Sequence, residues 1–211
     1  MPRCKNCKEL FEVKRFNSKY CDKVDCKTVE AMQNLEKLKQ KEQKDWTKRK
    51  KEKKITTHSK EYKAELQNQI NLLARKIDGH FKYDCIDCGK PYGKQVDGAH
   101  KNNVGGHENI RYNLHNIHSA RAFCNQRSSE HKVGYSLGLE ERYGFEYREY
   151  VEFEIDKVYK YIGLNSIEIY ESLKIVRKLN RDFEKHTDNF KDGREAREYF
   201  NNIIGIYIKN D

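Results

Sequence analysis

The chain has 211 residues, 43 Lys and Arg against 33 Asp and Glu, and a net charge of +10. At 36% hydrophobic and 36% charged it is more polar than an ordinary globular domain, and no apolar run reaches the roughly 18 residues of a membrane span. The opening Met1-Pro2-Arg3-Cys4-Lys5 has no apolar export segment, and seven Cys, an odd number, argue for metal ligation or free thiols over a disulfide framework.

The charge is uneven. Residues 1–60 hold 19 Lys and Arg against 9 Asp and Glu, whereas residues 61–211 hold 24 of each. A basic arm on a neutral body points to a polyanion partner, most often nucleic acid.

In chain order, residues 1–26 contain four of the seven Cys and form a candidate Cys4 zinc module. Residues 27–58 read as a basic helical arm, rich in Lys, Glu and Gln and free of Gly and Pro, with Met32, Leu35, Leu38 and Trp46 as scattered apolar residues. Such a helix lies in solvent with little to pack against. It ends in Lys48-Arg49-Lys50-Lys51-Glu52-Lys53-Lys54, and Ile55-Thr56-Thr57-His58 then breaks the pattern. Residues 60–78 predict an amphipathic helix with Tyr62, Leu66, Ile70, Leu73 and Ile77 on one face, Ser59 as its cap and Gly79 as its stop. Residues 80–135 hold the other three Cys and six of the eight His, so chemistry is sought there.

Beyond residue 136 the pattern is helical again. Tyr143 to Tyr161 fits helix or strand. Tyr170, Leu173, Val176, Leu179 and Phe183 form one stripe capped by Ser166, and Ala196, Phe200, Ile203 and Tyr207 form another. The expected domains are therefore 1–26, 27–58, a central 59–150 and a helical extension 151–211. The fold class is α+β, mostly helical.

Cys4-x2-Cys7-x13-Cys21-x4-Cys26 places two close thiol pairs where they complete a tetrahedron around Zn2+. So short a segment lacks the apolar material for an unaided core, and metal would supply the folding energy. Glu9, Phe11, Phe16 and Tyr20 are expected to form a short hairpin over it. Cys85-x2-Cys88 begins a second cluster that Cys124 continues, with Asp97, His100 and Asn116 in between. A fourth ligand is needed, and the Cys-x2-Cys offset is taken by Arg121. His118 is the nearest donor and His115 the next. Taken singly, His107, His115 and His131 read as surface histidines, and His58, His80 and His186 as structural or solvent-facing.

Cys-x2-Cys, Asp97-Gly98-Ala99-His100, Asn116-Ile117-His118 and Cys124-Asn125-Gln126 together resemble a zinc-bearing HNH endonuclease of the ββα-metal fold. With the amino-terminal Cys cluster and the Lys/Glu-rich helix, residues 3–150 resemble the lambdoid-phage recombination family NinG, also called Rap. That resemblance implies a structure-specific endonuclease on branched DNA of the Holliday-junction or D-loop type, in the bacterial cytoplasm. It makes His100 the general base that takes a proton from water, and gives Mg2+ or Mn2+ the departing 3′ oxygen. Asp97 is then the hard-oxygen metal ligand, with Asn125 first and His131 second for the remaining position. Asn116 would brace the loop that holds His100 in line. Asp97 and His100 fall on opposite faces of a regular strand, so a bulge at Gly98 is expected to bring both inward. Either His118 completes the second zinc site, or the fold there relies on packing.

Candidate phosphate contacts are Lys48, Arg49, Lys50, Lys51, Lys53 and Lys54 of the arm, with Arg111, Arg121 and Arg127. A two-fold homodimer would let paired nicks resolve a junction. One competing reading is a non-catalytic zinc-dependent nucleic-acid-binding module. Another is an adaptor that docks through the aromatic 143–170 segment.

Overall fold

The structure, a computed structural model, describes the chain except residues 14–15, 128–130, 162, 188–189 and 210–211, and the backbone alone at Arg127, His131, Lys160, Tyr161, Ile208 and Lys209. Two compact units emerge, Met1–Lys54 and Ile55–Asp211. The architecture is mostly helical with small antiparallel sheets, in the α+β class.

In the first unit, Cys4, Tyr20, Cys21 and Cys26 are buried together, with Cys7, Phe11 and Val29 packed against them. Among the described residues a single antiparallel bridge, Arg3 to Leu10, stands where the hairpin is expected. Phe16 is 95% exposed and takes no part in it, while the Tyr20 hydroxyl anchors the knot by donating to Gln33 Oε1 at 2.6 Å. Helix α1 (Val24–Thr57) follows, and its Met32, Leu35, Leu38 and Trp46 are all exposed, as the weak apolar pattern requires. It runs three residues past Lys54, because Ile55-Thr56-Thr57 continues the helix instead of breaking it.

The second unit is organised by α2 (Ser59–His80), whose Leu66, Ile70, Leu73 and Ile77 are fully buried. His58, not Ser59, occupies the cap and makes no side-chain capping bond, and the helix ends after His80. The termination is at Lys82, whose φ of 55° stops the helical run. Strand β1 (Val96–His100) pairs antiparallel with β2 (Ile117–Arg121), and short helix α3 (Ala122–Arg127) follows directly.

Helix α4 (His131–Tyr143) lies on the Cys85–Cys88 turn. A Cβ on Gly138 would fall 1.7 Å from the Ile86 carbonyl, and one on Gly134 2.1 Å from Asp87 Oδ1, so the close approach depends on both glycines. The aromatic segment resolves as α5 (Phe145–Glu149), a π-helical turn (Tyr150–Glu154) and α6 (Ile155–Val158), ending in β3 (Tyr159–Tyr161).

Helix α7 (Ser166–Arg181) buries Ile169, Leu173, Val176 and Leu179. Asn165 caps it in a reciprocal box with Glu168, so Ser166 is already inside the helix. Phe183 sits in the following 3-10 turn. Helix α8 (Gly193–Ile204) is capped by Asp192 and closed by Gly205 at φ 67°. Ile204 takes the buried place expected of Ile203, and Tyr207 lies on β4 (Tyr207–Lys209), paired with β3. Residues of α2, β2, α7 and α8 share one hydrophobic core, which joins 151–211 to 59–150.

Candidate active site and metal centres

The sulfur atoms of Cys4, Cys7, Cys21 and Cys26 lie within 4.8 Å of one another. Four thiols so close cannot all ionise unaided. Burial raises the Cys4 thiol, but hydrogen bonds from the backbone at Cys21, Cys7 and Asn6 and from Cys26 outweigh it and bring it down to about 6. At Cys21 a backbone bond from Lys23 lowers the thiol, yet burial and the three neighbouring sulfurs push it up to about 12. One site in the cluster thus holds charge at the expense of another, a conflict that a divalent cation relieves. All-sulfur donors in a tetrad suit Zn2+.

Cys85, Cys88 and Cys124 likewise converge within 4.8 Å. Two are buried and Cys88 is exposed. The Arg121 amide donates to Cys85 Sγ at 3.2 Å, so β2 feeds its last residue into the cluster. His118 does not join it. Its ring is fully buried on β2, with Nδ1 against the Tyr135 hydroxyl at 2.9 Å and Nε2 without a partner among the described residues. The strand pairs His118 with Ala99, and Tyr135 of α4 engages its Nδ1, so the ring sits against α4. Burial, with the Arg197 and Arg142 charges, holds His118 well below its ordinary value, in the neutral state.

Strand β1 carries the candidate catalytic residues on both its faces. Its pairing is uninterrupted, from Val96 opposite Arg121 to His100 opposite Ile117, so the expected bulge at Gly98 is absent. Gly98 serves packing instead: a Cβ there would lie 2.8 Å from the Asn71 side chain of α2. Asp97 therefore faces α3 and His100 faces α2.

Asp97 Oδ2 accepts from Asn125 Nδ2 at 3.0 Å and from Gln126 Nε2 at 2.8 Å. Burial raises this carboxyl, but the bonds from Asn125, Gln126 and Gln95 prevail and hold it below the ordinary range. On the other face, His100 Nε2 lies 3.1 Å from the Arg111 carbonyl, an arrangement that places the ring proton on Nε2 and leaves Nδ1 free to accept. Burial lowers the imidazole, against the raising effect of that carbonyl, so His100 is neutral at pH 7. Gln67 of α2 holds Arg111 at both ends, accepting from its Nε at 3.2 Å and donating to its carbonyl, the acceptor of the His100 proton, at 3.3 Å. Asn116 is fully buried and braces the loop after His100, accepting from the Asn102 amide at 2.8 Å and donating to its carbonyl at 3.0 Å.

The chain matches a protein family described as "Bacteriophage Lambda NinG protein" over residues 1–184. The chain belongs to the NinG family. Among its relatives, Protein ninG of Escherichia phage lambda is 29% identical over 158 residues, 68% of this chain and 76% of the relative. Protein ninG of Salmonella phage P22 is 29% identical over 156 residues, 67% of this chain and 75% of the relative. No solved structure matches. The NinG match takes in both cysteine clusters and β1–β2, and it extends through α7, past the limit of 150 drawn from motifs.

Other predicted residues separate by environment. Lys48, Arg49, Lys50, Lys51, Lys53 and Lys54 are all exposed on α1, with Lys50 stacked over Trp46 at 5.0 Å. Arg111 is engaged by Gln67 and, at 3.8 Å, by Glu108, so it is less available to phosphate. The Arg127 and His131 side chains lie outside the described residues. His115, read as a surface histidine, is 3% exposed, with Nδ1 at 2.8 Å from the Tyr147 hydroxyl and Nε2 at 3.0 Å from Glu198. Sequence reasoning also missed a buried ion pair. Arg197 Nη2 donates to Asp78 Oδ1 at 2.6 Å, both residues being fully buried, while Asp78 Oδ2 accepts from the Ser119 amide at 2.6 Å. The pair locks α8 and the end of α2 to β2. Its partners are 119 residues apart, and no local pattern announces them.

Proposed function

We propose that this NinG-family chain is a metal-dependent endonuclease acting on branched DNA, with β1–β2 and α3 as an HNH-type core. The observation that carries the reading is the arrangement along β1: Asp97 beside Asn125 on one face, and on the other His100 with one nitrogen pinned by a carbonyl and the second free. Among the described residues β1 is paired with no strand but β2, and at its other edge the Arg75 guanidinium donates to the Val96 carbonyl at 2.9 Å. A phosphodiester laid along that edge meets both faces. His100 Nδ1 takes a proton from the attacking water, Asn116 holds the loop behind it, and Gln67 holds the Arg111 carbonyl that orients the ring. The oxygens of Asp97 and, with its amide turned, Asn125 would hold a hard cation such as Mg2+ or Mn2+, which supplies charge stabilisation for the scissile phosphate and leaving oxygen. The two cysteine clusters are read as Zn2+ sites that fold the knot before α1 and fasten β2 to the Cys85–Cys88 turn. The α1 lysines supply phosphate contacts without base reading, and so favour shape over sequence.

The test is cleavage of a synthetic four-way junction with Mg2+ or Mn2+. Wild type should cut, and His100→Ala and Asp97→Ala should not. Equal residual activity in wild type and His100→Ala would end the catalytic reading. One observation favours a second reading, a zinc-dependent DNA-binding module without chemistry: Asp97 and His100 lie on opposite strand faces. That reading predicts salt-sensitive junction binding with no metal-dependent scission.

A further inference from the structure

The second cysteine cluster has three sulfurs where its counterpart in the first unit has four. Zinc in a folding role takes four protein ligands, and a site with three keeps a position for an outside molecule. Three features of the cluster bear on that position. No fourth His, Asp or Glu atom converges with the sulfurs among the described residues. His118, the best donor by sequence, pairs its Nδ1 with Tyr135 and does not converge with the three sulfurs. Arg121 holds the place of the missing cysteine: its amide bonds Cys85 Sγ at 3.2 Å, and its side chain reaches exposed Cys88. A guanidinium has five donors and no lone pair, so it cannot ligate a metal. It can, however, offset the surplus negative charge of three thiolates on one dication, and it draws anions to the exposed side of the site.

We propose that Cys85, Cys88 and Cys124 hold zinc in a three-thiolate site whose fourth position is exchangeable, occupied by water or by a small anion recruited by Arg121. The inference rests on the zinc reading of this cluster and goes beyond it. It makes the two metal sites unequal: Cys4, Cys7, Cys21 and Cys26 close theirs, while the site beside β2 stays open to solvent chemistry.

The experiment uses the purified full-length chain. Zinc content is measured first in wild type and in Cys124→Ser. Two ions per chain falling to one identify the second site, whereas one ion in both proteins would remove the zinc reading of this cluster, and the proposal with it. Release to a chromogenic chelator is then followed in time, with the phase missing from Cys124→Ser assigned to the second site. That phase should be the faster one in wild type, and Arg121→Cys, which supplies the fourth thiolate, should slow it at least about tenfold. A parallel measurement needs no variant. With Co2+ in place of zinc, azide should shift the visible absorption bands of wild type and leave those of Arg121→Cys unmoved. His131→Ala tests the histidine whose side chain lies outside the described residues, and it should leave both release and spectrum unchanged. Equal release from the two sites, azide-insensitive bands in wild type, or a Cys124→Ser-like loss in His131→Ala would each overturn the proposal.

Discussion

Arg197→Met should cost this protein more stability than any surface change. The guanidinium is fully buried and donates to Asp78 at 2.6 Å, Tyr143 at 3.0 Å, and the Leu114 and Gly193 carbonyls at 3.1 Å each. Met fills much of the volume but satisfies none of these acceptors. It also leaves the Asp78 carboxylate in the core with Arg142, 3.5 Å away, as its remaining cation. Removing one member of a buried ion pair costs about 3–5 kcal/mol. At about 2–4 °C per kcal/mol for a chain of this size, Tm should fall by about 6–20 °C. Thermal unfolding followed by circular dichroism measures this directly. Asp78→Asn in the Arg197→Met background should recover part of the loss, because the orphaned charge goes with it. A loss of less than about 1 kcal/mol in the single variant, or no recovery in the double, would refute the argument that the pair locks α8 to β2.

Three further outcomes follow from the geometry. Gly138→Ala would set a Cβ 1.7 Å from the Ile86 carbonyl, so α4 or the Cys85–Cys88 turn must give way; about 1–3 kcal/mol of stability should be lost, together with zinc retention at the second cluster, read by calorimetry and metal content. Replacing Lys48, Arg49, Lys50, Lys51, Lys53 and Lys54 by Gln should weaken junction binding and flatten its salt dependence by up to about five in the slope of log K against log salt, whereas an unchanged slope would take α1 out of the interface. Burial keeps the His100 pKa below its ordinary 6.5, so the base stays competent as pH falls toward that value. The same depression means that folding favours neutral His100: its stability contribution is complete above the unfolded pKa and is lost as pH drops through the folded one. The acid limb of the cleavage profile should therefore lie below pH 6.5, and a limb above it would contradict the buried-base assignment.

What the sequence reveals here is local chemistry, and what it hides is non-local geometry. Cysteine spacing announces two thiol clusters because a Cys-x2-Cys turn aims its own sulfurs, and both clusters converge as spaced. The stripe Leu66, Ile70, Leu73, Ile77 marks the buried face of α2 because helical periodicity is a property of the segment alone. Asp97 and Asn125 meet because one follows from the strand and the other from the helix directly after its partner strand. Gly98 misleads, since a glycine in a strand signals a bulge or a close neighbour equally well, and only α2 passing beside it decides for the neighbour. His118 misleads in the same way: proximity in sequence to Cys124 says nothing of the tyrosine that claims its ring. Asp78 with Arg197, and His115 with Glu198, are invisible because their partners come from distant helices. The basic arm was legible from charge alone, for its lysines need no partner to stay in solvent.

The central claim is that His100 acts as the base of a metal-dependent cut. A labelled four-way junction incubated with wild type and with His100→Ala, each with and without Mn2+, tests it most directly. The account predicts scission by wild type only when the metal is present, and none by His100→Ala even where junction binding is retained. Scission that persists in His100→Ala, or a wild type that binds the junction tightly and never cuts it, would contradict the account.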